Sequence, residues 1–374
     1  MRNNVWKYVA LAFVSPLLLV GEPLLYIGKE TPVFFTASAT VRRDDNIGLS
    51  PISKQSDTIF VLTPGFEIAR SGAEIQASLV VNEQFIRYGS DSRLNSELLT
   101  AIGSLDYLGA RSRLGLRASF QEMDQTNLSL RSSDQSIRRN MTAVSGTGNW
   151  AATAKSSIGT GFSFERTDYP AVGFTDSDVW AYPIDYYFAI TPKVDLSAGY
   201  RYRRSSLEGG FGSSKDNFYN VGARGIFTSK LSGQVRVGYS TREEDRGNDN
   251  EVFGVGATLG YDYSPKVSLS LNLSNDFNSS AFGSSQEVFA VGVGGSFDLD
   301  LQWKLGANAS FSSSKYLDGT GRKDDFFVGD VSTTYILSSN SSLNLAYVFR
   351  KNASTAEAVS FENNVLSLSS GVRF

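Results

Sequence analysis

The sequence predicts an all-β protein, a closed antiparallel transmembrane β-barrel of about 18 strands (16–18), with short turns at one end and longer loops at the other. Three observations carry this. Beyond the N-terminal segment, apolar and polar residues alternate at a period of two along almost every stretch. Connections alternate as well, a tight turn following a longer polar loop, in a unit that recurs about every 30 to 37 residues. The chain then closes on NNVLSLSSGVRF, where Leu366, Leu368, Val372 and Phe374 share one face with Ser370, and Ser367, Ser369, Gly371 and Arg373 share the other.

Composition narrows the function. The chain has no cysteine, so disulfides are excluded, and no histidine, which removes the commonest general base and transition-metal ligand. A net charge of −3 gives no basic field for nucleic acid. No later stretch reaches the roughly 18 apolar residues of a membrane helix. In a barrel only half of each strand faces lipid, which accounts for the moderate apolar content. Residues 1–30 read as a signal peptide or targeting segment. Arg2 and Lys7 flank an apolar run from Val9 to Val20, with cleavage expected between Gly21 and Lys29. Residues 31–374 then form a single barrel.

The first strand is expected over 33–43, with Phe35, Ala37, Ala39 and Val41 on one face. The polar segment DDNIGLSPISKQSD follows. Strands at 58–70 and 74–88 flank a Ser71-Gly72 turn, and those at 97–108 and 111–123 flank Gly109. After a long Ser/Asp/Arg-rich loop come 140–151 and 156–167. Five near-repetitive hairpins follow: 179–190 with 193–204, 217–228 with 231–242, 251–263 with 266–277, 287–298 with 301–313, and 325–337 with 341–351. The last strand is 360–374. A propeller would show a four-strand period, and a sandwich fewer strands.

Alternation does not say which face looks inward, but residue size does. Leu269, Leu271, Leu273, Phe289, Val291, Val293 and Phe297 suit lipid; Ser268, Ser270, Asn272, Ser274, Gly292 and Gly294 suit a wet lumen. Two aromatic girdles are expected: Trp150, Tyr263, Trp303, Tyr335 and Phe374 toward the turn end, and Trp180, Tyr182, Tyr202 and Phe326 toward the loop end.

The lumen-lining candidates are Arg113, Arg117, Arg201, Arg203, Arg224, Arg236 and Arg242. A cationic stripe guides anions or an anionic polymer. The competing expectation is that Glu165, Asp185, Asp195, Asp262 and Asp276 neutralise it as internal ion pairs. Asp44-Asp45-Asn46 offers oxygen ligands for a divalent cation but lacks the spaced acids of a calcium loop, so it reads as a polar surface loop. The Gly-x-Gly runs at 254–256 and 292–294 lie inside strands and read as small lumen residues. No catalytic set and no cofactor site emerge.

The opening segment TASATVRRDDNIGLSP, followed by SDTIFVLTPGFEI, resembles the type 2 family of outer-membrane β-barrel porins, with Asp44-Asp45-Asn46 and Ser56-Asp57-Thr58 at the recurring positions. The likeness is specific over Ala37 to Ile68 and at the C-terminus, where Leu366, Leu368, Val372 and Phe374 form the closing signal read by the barrel assembly machinery. It implies the bacterial outer membrane with periplasmic termini, lipid and lipopolysaccharide around the barrel, and export of an exopolysaccharide alongside other export-system proteins. A diffusion porin for small solutes and a structural or adhesive surface barrel are the alternatives.

Overall fold

The computed structural model describes residues 21–125, 137–209, 212–245 and 249–374. The strands are β1 (Leu25–Ile27), β2 (Thr31–Asp44), β3 (Asp57–Ser71), β4 (Ile75–Tyr88), β5 (Ser96–Leu108) and β6 (Ser112–Gln125). They continue as β7 (Ile137–Ala151), β8 (Ser156–Asp168), β9 (Ser177–Thr191), β10 (Val194–Leu207), β11 (Gly212–Ile226) and β12 (Leu231–Glu244). The rest are β13 (Asn250–Ser264), β14 (Val267–Ser279), β15 (Ser285–Asp298), β16 (Trp303–Tyr316), β17 (Lys323–Ser338), β18 (Ser341–Ser354) and β19 (Phe361–Arg373).

Each strand from β2 onward pairs antiparallel with the next, and β19 returns to pair with β2, so eighteen strands close on themselves. Closure leaves no sheet edge along the wall. The expected strands are all present. The one clear shift is β11, which starts at Gly212 instead of 217 and so takes in Asp216. The added β1 pairs with β2 at Thr31–Val33, along the stretch of its edge that β19 leaves uncovered. Residues 1–20, which hold most of the expected targeting segment, lie outside the described residues.

Two strand prolines show how the ladders tolerate a missing N–H. The β3–β4 register passes from Leu62–Phe85 to Gly65–Asn82, skipping Pro64. The β8–β9 register passes from Thr160–Ile184 to Ser163–Ala181, skipping Pro183.

Ion pairs decide which face looks in. Arg236 on β12 meets Asp185 on β9, and Arg201 on β10 meets Asp276 on β14. Side chains separated by two or three intervening strands can meet only across the inside of a closed sheet. The opposite parity carries Val221, Tyr219, Phe253, Leu269 and Leu366, all exposed. The bulky faces therefore look outward, the inversion that defines a membrane barrel. Trp150, Tyr263, Trp303 and Phe374 are exposed at the turn end, and Trp180 and Tyr182 toward the loops. Phe326 departs from the expected outer girdle. It lines an interior cavity, while its neighbour Phe327 takes the outward position.

The interior is not uniformly small and polar. Ile59, Ile86 and Leu98 form a buried apolar cluster on the lumen side of β3–β5, joined by Val61, Tyr88 and Ile47 of the 45–56 loop.

Candidate functional site: the lumen wall and its mouth

Five of the seven candidate arginines converge on one wall. Arg201 and Arg203 lie on β10, Arg224 on β11, and Arg236 and Arg242 on β12. Register places Arg203, Asp216 and Arg242 side by side across these strands. Arg203 Nε donates to Asp216 Oδ2 at 2.6 Å, and Arg242 Nε donates to Asp216 Oδ1 at 2.6 Å. The Arg242 and Asp216 side chains are each 1% exposed. A carboxylate forked between two guanidiniums satisfies charges that would be costly to bury alone.

Further toward the turn end, Arg236 Nη2 donates to Asp185 Oδ2 at 2.8 Å and to the Tyr187 hydroxyl at 3.0 Å. Arg224 Nε donates to Asp195 Oδ2 at 3.1 Å, and its guanidinium lies 3.2 Å from the Tyr187 ring centre. Tyr187 can lie flat on the wall because Gly159 has no Cβ where the ring passes, and Gly199 leaves the same room for the Asp185 carboxylate. Gly254, the first of the Gly-x-Gly runs, similarly lies under the Phe218 ring.

The wall is thus a neutralised ladder. Asp185, Asp195 and Asp276 act as the expected partners, and Asp216 joins them from a segment that reads as loop in the sequence. Among the described residues Glu165 and Asp262 form no ion pair. Arg113 and Arg117 stand apart on β6; the Arg117 side chain is 57% exposed and 3.8 Å from Asp106.

Two segments fold into the mouth at the loop end. The first is the 45–56 loop. The Asn46 side chain is fully buried. Its Nδ2 donates to the Ser50 and Glu362 carbonyls at 2.9 Å each, and its Oδ1 accepts from the Ser50 amide at 2.9 Å. Asn363 Nδ2 donates to Asp44 Oδ1 at 2.6 Å, and the Asn364 amide donates to Asp45 Oδ1 at 2.7 Å. Burial alone would raise the Asp45 carboxyl, but the Asn364 amide and side chain outweigh it and hold it below the ordinary carboxylate range. The expected polar surface loop is therefore corrected. Its first half, through Ser50, is a buried latch while residues 52–56 stay exposed, and its acids spend their oxygens on Asn363 and Asn364 of the closing strand. Among the described residues no acid cluster suited to a metal ion forms.

The second is a hairpin tip. The β13–β14 ladder ends at Val255–Asn275, and residues 276–279 leave β13 while staying paired to β15. This carries Asp276 inward to Arg201 and Arg203. The Phe277 ring ends up 5.0 Å from the Arg242 guanidinium. Over the rim of β9–β14, the Thr175 amide donates to the Ala281 carbonyl at 3.0 Å, joining the β8–β9 and β14–β15 loops. A cavity of about 300 Å³ remains beneath, lined by Arg203, Arg242, Phe277, Tyr316, Asp324 and Phe326 among others.

Leu366, Leu368 and Phe374 are exposed on the outer face of the closing strand, with Val372 in the same register. The seam is also held at the turn end, where Phe35 and Phe374 exchange backbone hydrogen bonds and Arg373 Nε donates to Glu67 Oε2 at 3.1 Å.

No curated protein matches the chain. Among solved structures it is similar to OccK2 (OpdF) of Pseudomonas aeruginosa at 12% identity, covering 92% of this chain and 98% of that one, with a TM-score of 0.49. It is similar to OpdK of the same organism, solved with vanillate, at 11% identity, 91% and 99% coverage and a TM-score of 0.48. Acinetobacter baumannii OccAB4 gives 11%, 92% and 99%, and 0.46. The opening segment that carries the sequence resemblance lies outside the stretch matched by a family model, which begins at residue 208. From there to the end, residues 208–374 match the family model described as "Putative beta-barrel porin 2", the family the sequence resembles, and the molecule is a porin-like outer-membrane β-barrel.

Proposed function

We propose that the barrel is a passive channel for small hydrophilic solutes, narrowed at the loop end. The observation that carries this is the β14–β15 hairpin tip, which leaves β13, folds inward over β10–β12 and meets the β8–β9 loop at Thr175 and Ala281. A segment folded into the lumen narrows the passage while the rest of the wall stays polar, as size-selective diffusion needs. The arginine ladder favours neutral and mildly anionic solutes, because its carboxylates offset most of its charge. The loop end faces out of the cell, the turn end faces the periplasm, and lipid and lipopolysaccharide surround the outward face. The closing strand is handed into place by the barrel assembly machinery.

Export of an exopolysaccharide, which the family resemblance implies, needs a passage wide enough for a polymer, and a crowded mouth counts against it. Liposome swelling with a size series of sugars tests the choice. Monosaccharides should enter and oligosaccharides should not. Free passage of oligosaccharides, with loss of secreted polymer on gene deletion, would overturn this reading in favour of export.

A further inference from the structure

This inference rests on the channel reading and concerns how that channel is opened. The hairpin tip is held by a set of polar contacts and by a small apolar one, in which Phe277 and Ala281 are buried and the Phe282 ring lies 5.7 Å from that of Phe174. Arg201 Nη2 donates to Asp276 Oδ2 at 2.6 Å, and Arg203 Nη1 donates to the same oxygen at 3.1 Å. Arg203 Nη2 reaches the Phe277 carbonyl at 2.8 Å. Arg242 Nη1 reaches the Asn278 carbonyl at 2.8 Å and the Ser285 hydroxyl at 3.1 Å. Arg203 and Arg242 are anchored to the wall by Asp216 independently of the tip. The ion pair of Arg201 is with Asp276, and its Nε is buried without a hydrogen-bond partner among the described residues.

Two guanidiniums therefore converge on one carboxylate, and that carboxylate sits on a strand end that has already left its neighbour. The pivot is Asn275, the last β14 residue paired to β13, whose Nδ2 also donates to the Phe253 carbonyl at 2.9 Å. The Asp276 side chain is 27% exposed, against 1% for Asp216, so water and solute reach the first pair and not the second.

We propose that the tip is a gate latched by Asp276, and that a solute carboxylate opens it by taking the place of Asp276 between Arg201 and Arg203. A carboxylate of the solute presents the same charge and the same two oxygens to the same donors. It binds the open form, where the arginines are vacant, and not the latched form, so it shifts the population toward open by mass action. A neutral analogue has no such differential affinity and shifts nothing.

The chain has no native cysteine, which makes the test clean. Thr175→Cys with Ala281→Cys places a thiol on each of the two joined loops, where a backbone hydrogen bond already holds the two residues together. In planar bilayers the oxidised pair should stay closed. After reduction it should conduct, with an open fraction that rises with succinate and not with succinamide. Asp276→Asn, checked for folding by its heat-dependent gel shift, should open without succinate, with an open fraction at least ~10-fold above the parent. Equal currents before and after reduction, equal responses to succinate and succinamide, or an Asp276→Asn barrel that behaves like the parent would each overturn the gate while leaving the channel intact. Silence from every form, Asp276→Asn included, would instead remove the channel reading on which the gate rests.

Discussion

The two segments that fold into the mouth are held by different chemistry. The 45–56 loop is fixed by amide side chains on carbonyls and carboxylates, and by Ile47 packed on the Ile59, Ile86 and Leu98 cluster. The hairpin tip is fixed chiefly by guanidiniums on one partly exposed carboxylate and on bare carbonyls, with Phe277 and Ala281 packed beneath. Apolar packing and buried amide bonds exchange poorly with solutes, whereas an exposed ion pair can exchange with any competing ion. The difference separates a permanent closure from a reversible one within a single opening.

The largest effect should come from Arg242→Ala. It leaves the buried Asp216 with one guanidinium instead of two and frees the Asn278 carbonyl, so stability should fall by about 3–5 kcal/mol. The shift in thermal unfolding in detergent measures this, and a change within error would show that the network is not structural. Next is Asn46→Ala, which strands the Ser50 and Glu362 carbonyls. It should cost about 1–3 kcal/mol and open residues 45–50 to protease while leaving the hairpin tip protected. Protection of that stretch as strong as in the parent would blur the distinction between the two segments.

Acid should sharpen it. The folded Asp45 carboxyl sits below its unfolded value, so its contribution is complete above about pH 4 and is lost as pH falls through the lower folded value. The protection factors of amides in residues 45–50 should therefore be unchanged between pH 7 and 5, once the pH dependence of intrinsic exchange is removed, and fall only in stronger acid. The smallest effect belongs to Arg117→Ala. An exposed pair at 3.8 Å is worth at most about 0.5 kcal/mol, so stability should hardly move.

The barrel itself was legible in the sequence because side-chain period and connection length report the same topology. Each expected strand is found, and the inward parity of Arg201 and Arg203 follows from the outward one of Tyr200 and Tyr202. Three things were not legible, each for a physical reason. Phe326 and Phe327 are adjacent and identical, so composition could not choose which one faces out. Asp216 follows Gly-Ser-Ser-Lys, a string that reads as loop, and only the ladder with β10 and β12 keeps it in a strand. The burial of the first half of the 45–56 loop depends on Asn363 and Asn364, more than 300 residues away; a polar segment bound for water and one bound for buried amides have the same letters. The resemblance marked Asp44-Asp45-Asn46 as special without saying that its task was the seam.

That task has a consequence for biogenesis. Asn363 and Asn364 belong to the strand that closes the seam on β2, so the hydrogen bonds of the latch cannot form until the cylinder is whole, and before that only Ile47 has a partner, on β3–β5. Completion of the wall and locking of its near rim are then one event, and a half-built intermediate leaves that stretch held by Ile47 alone. A protease pulse during assembly would clip laggards within 45–50 and spare that stretch in finished molecules, giving a molecular stopwatch for the final stitch.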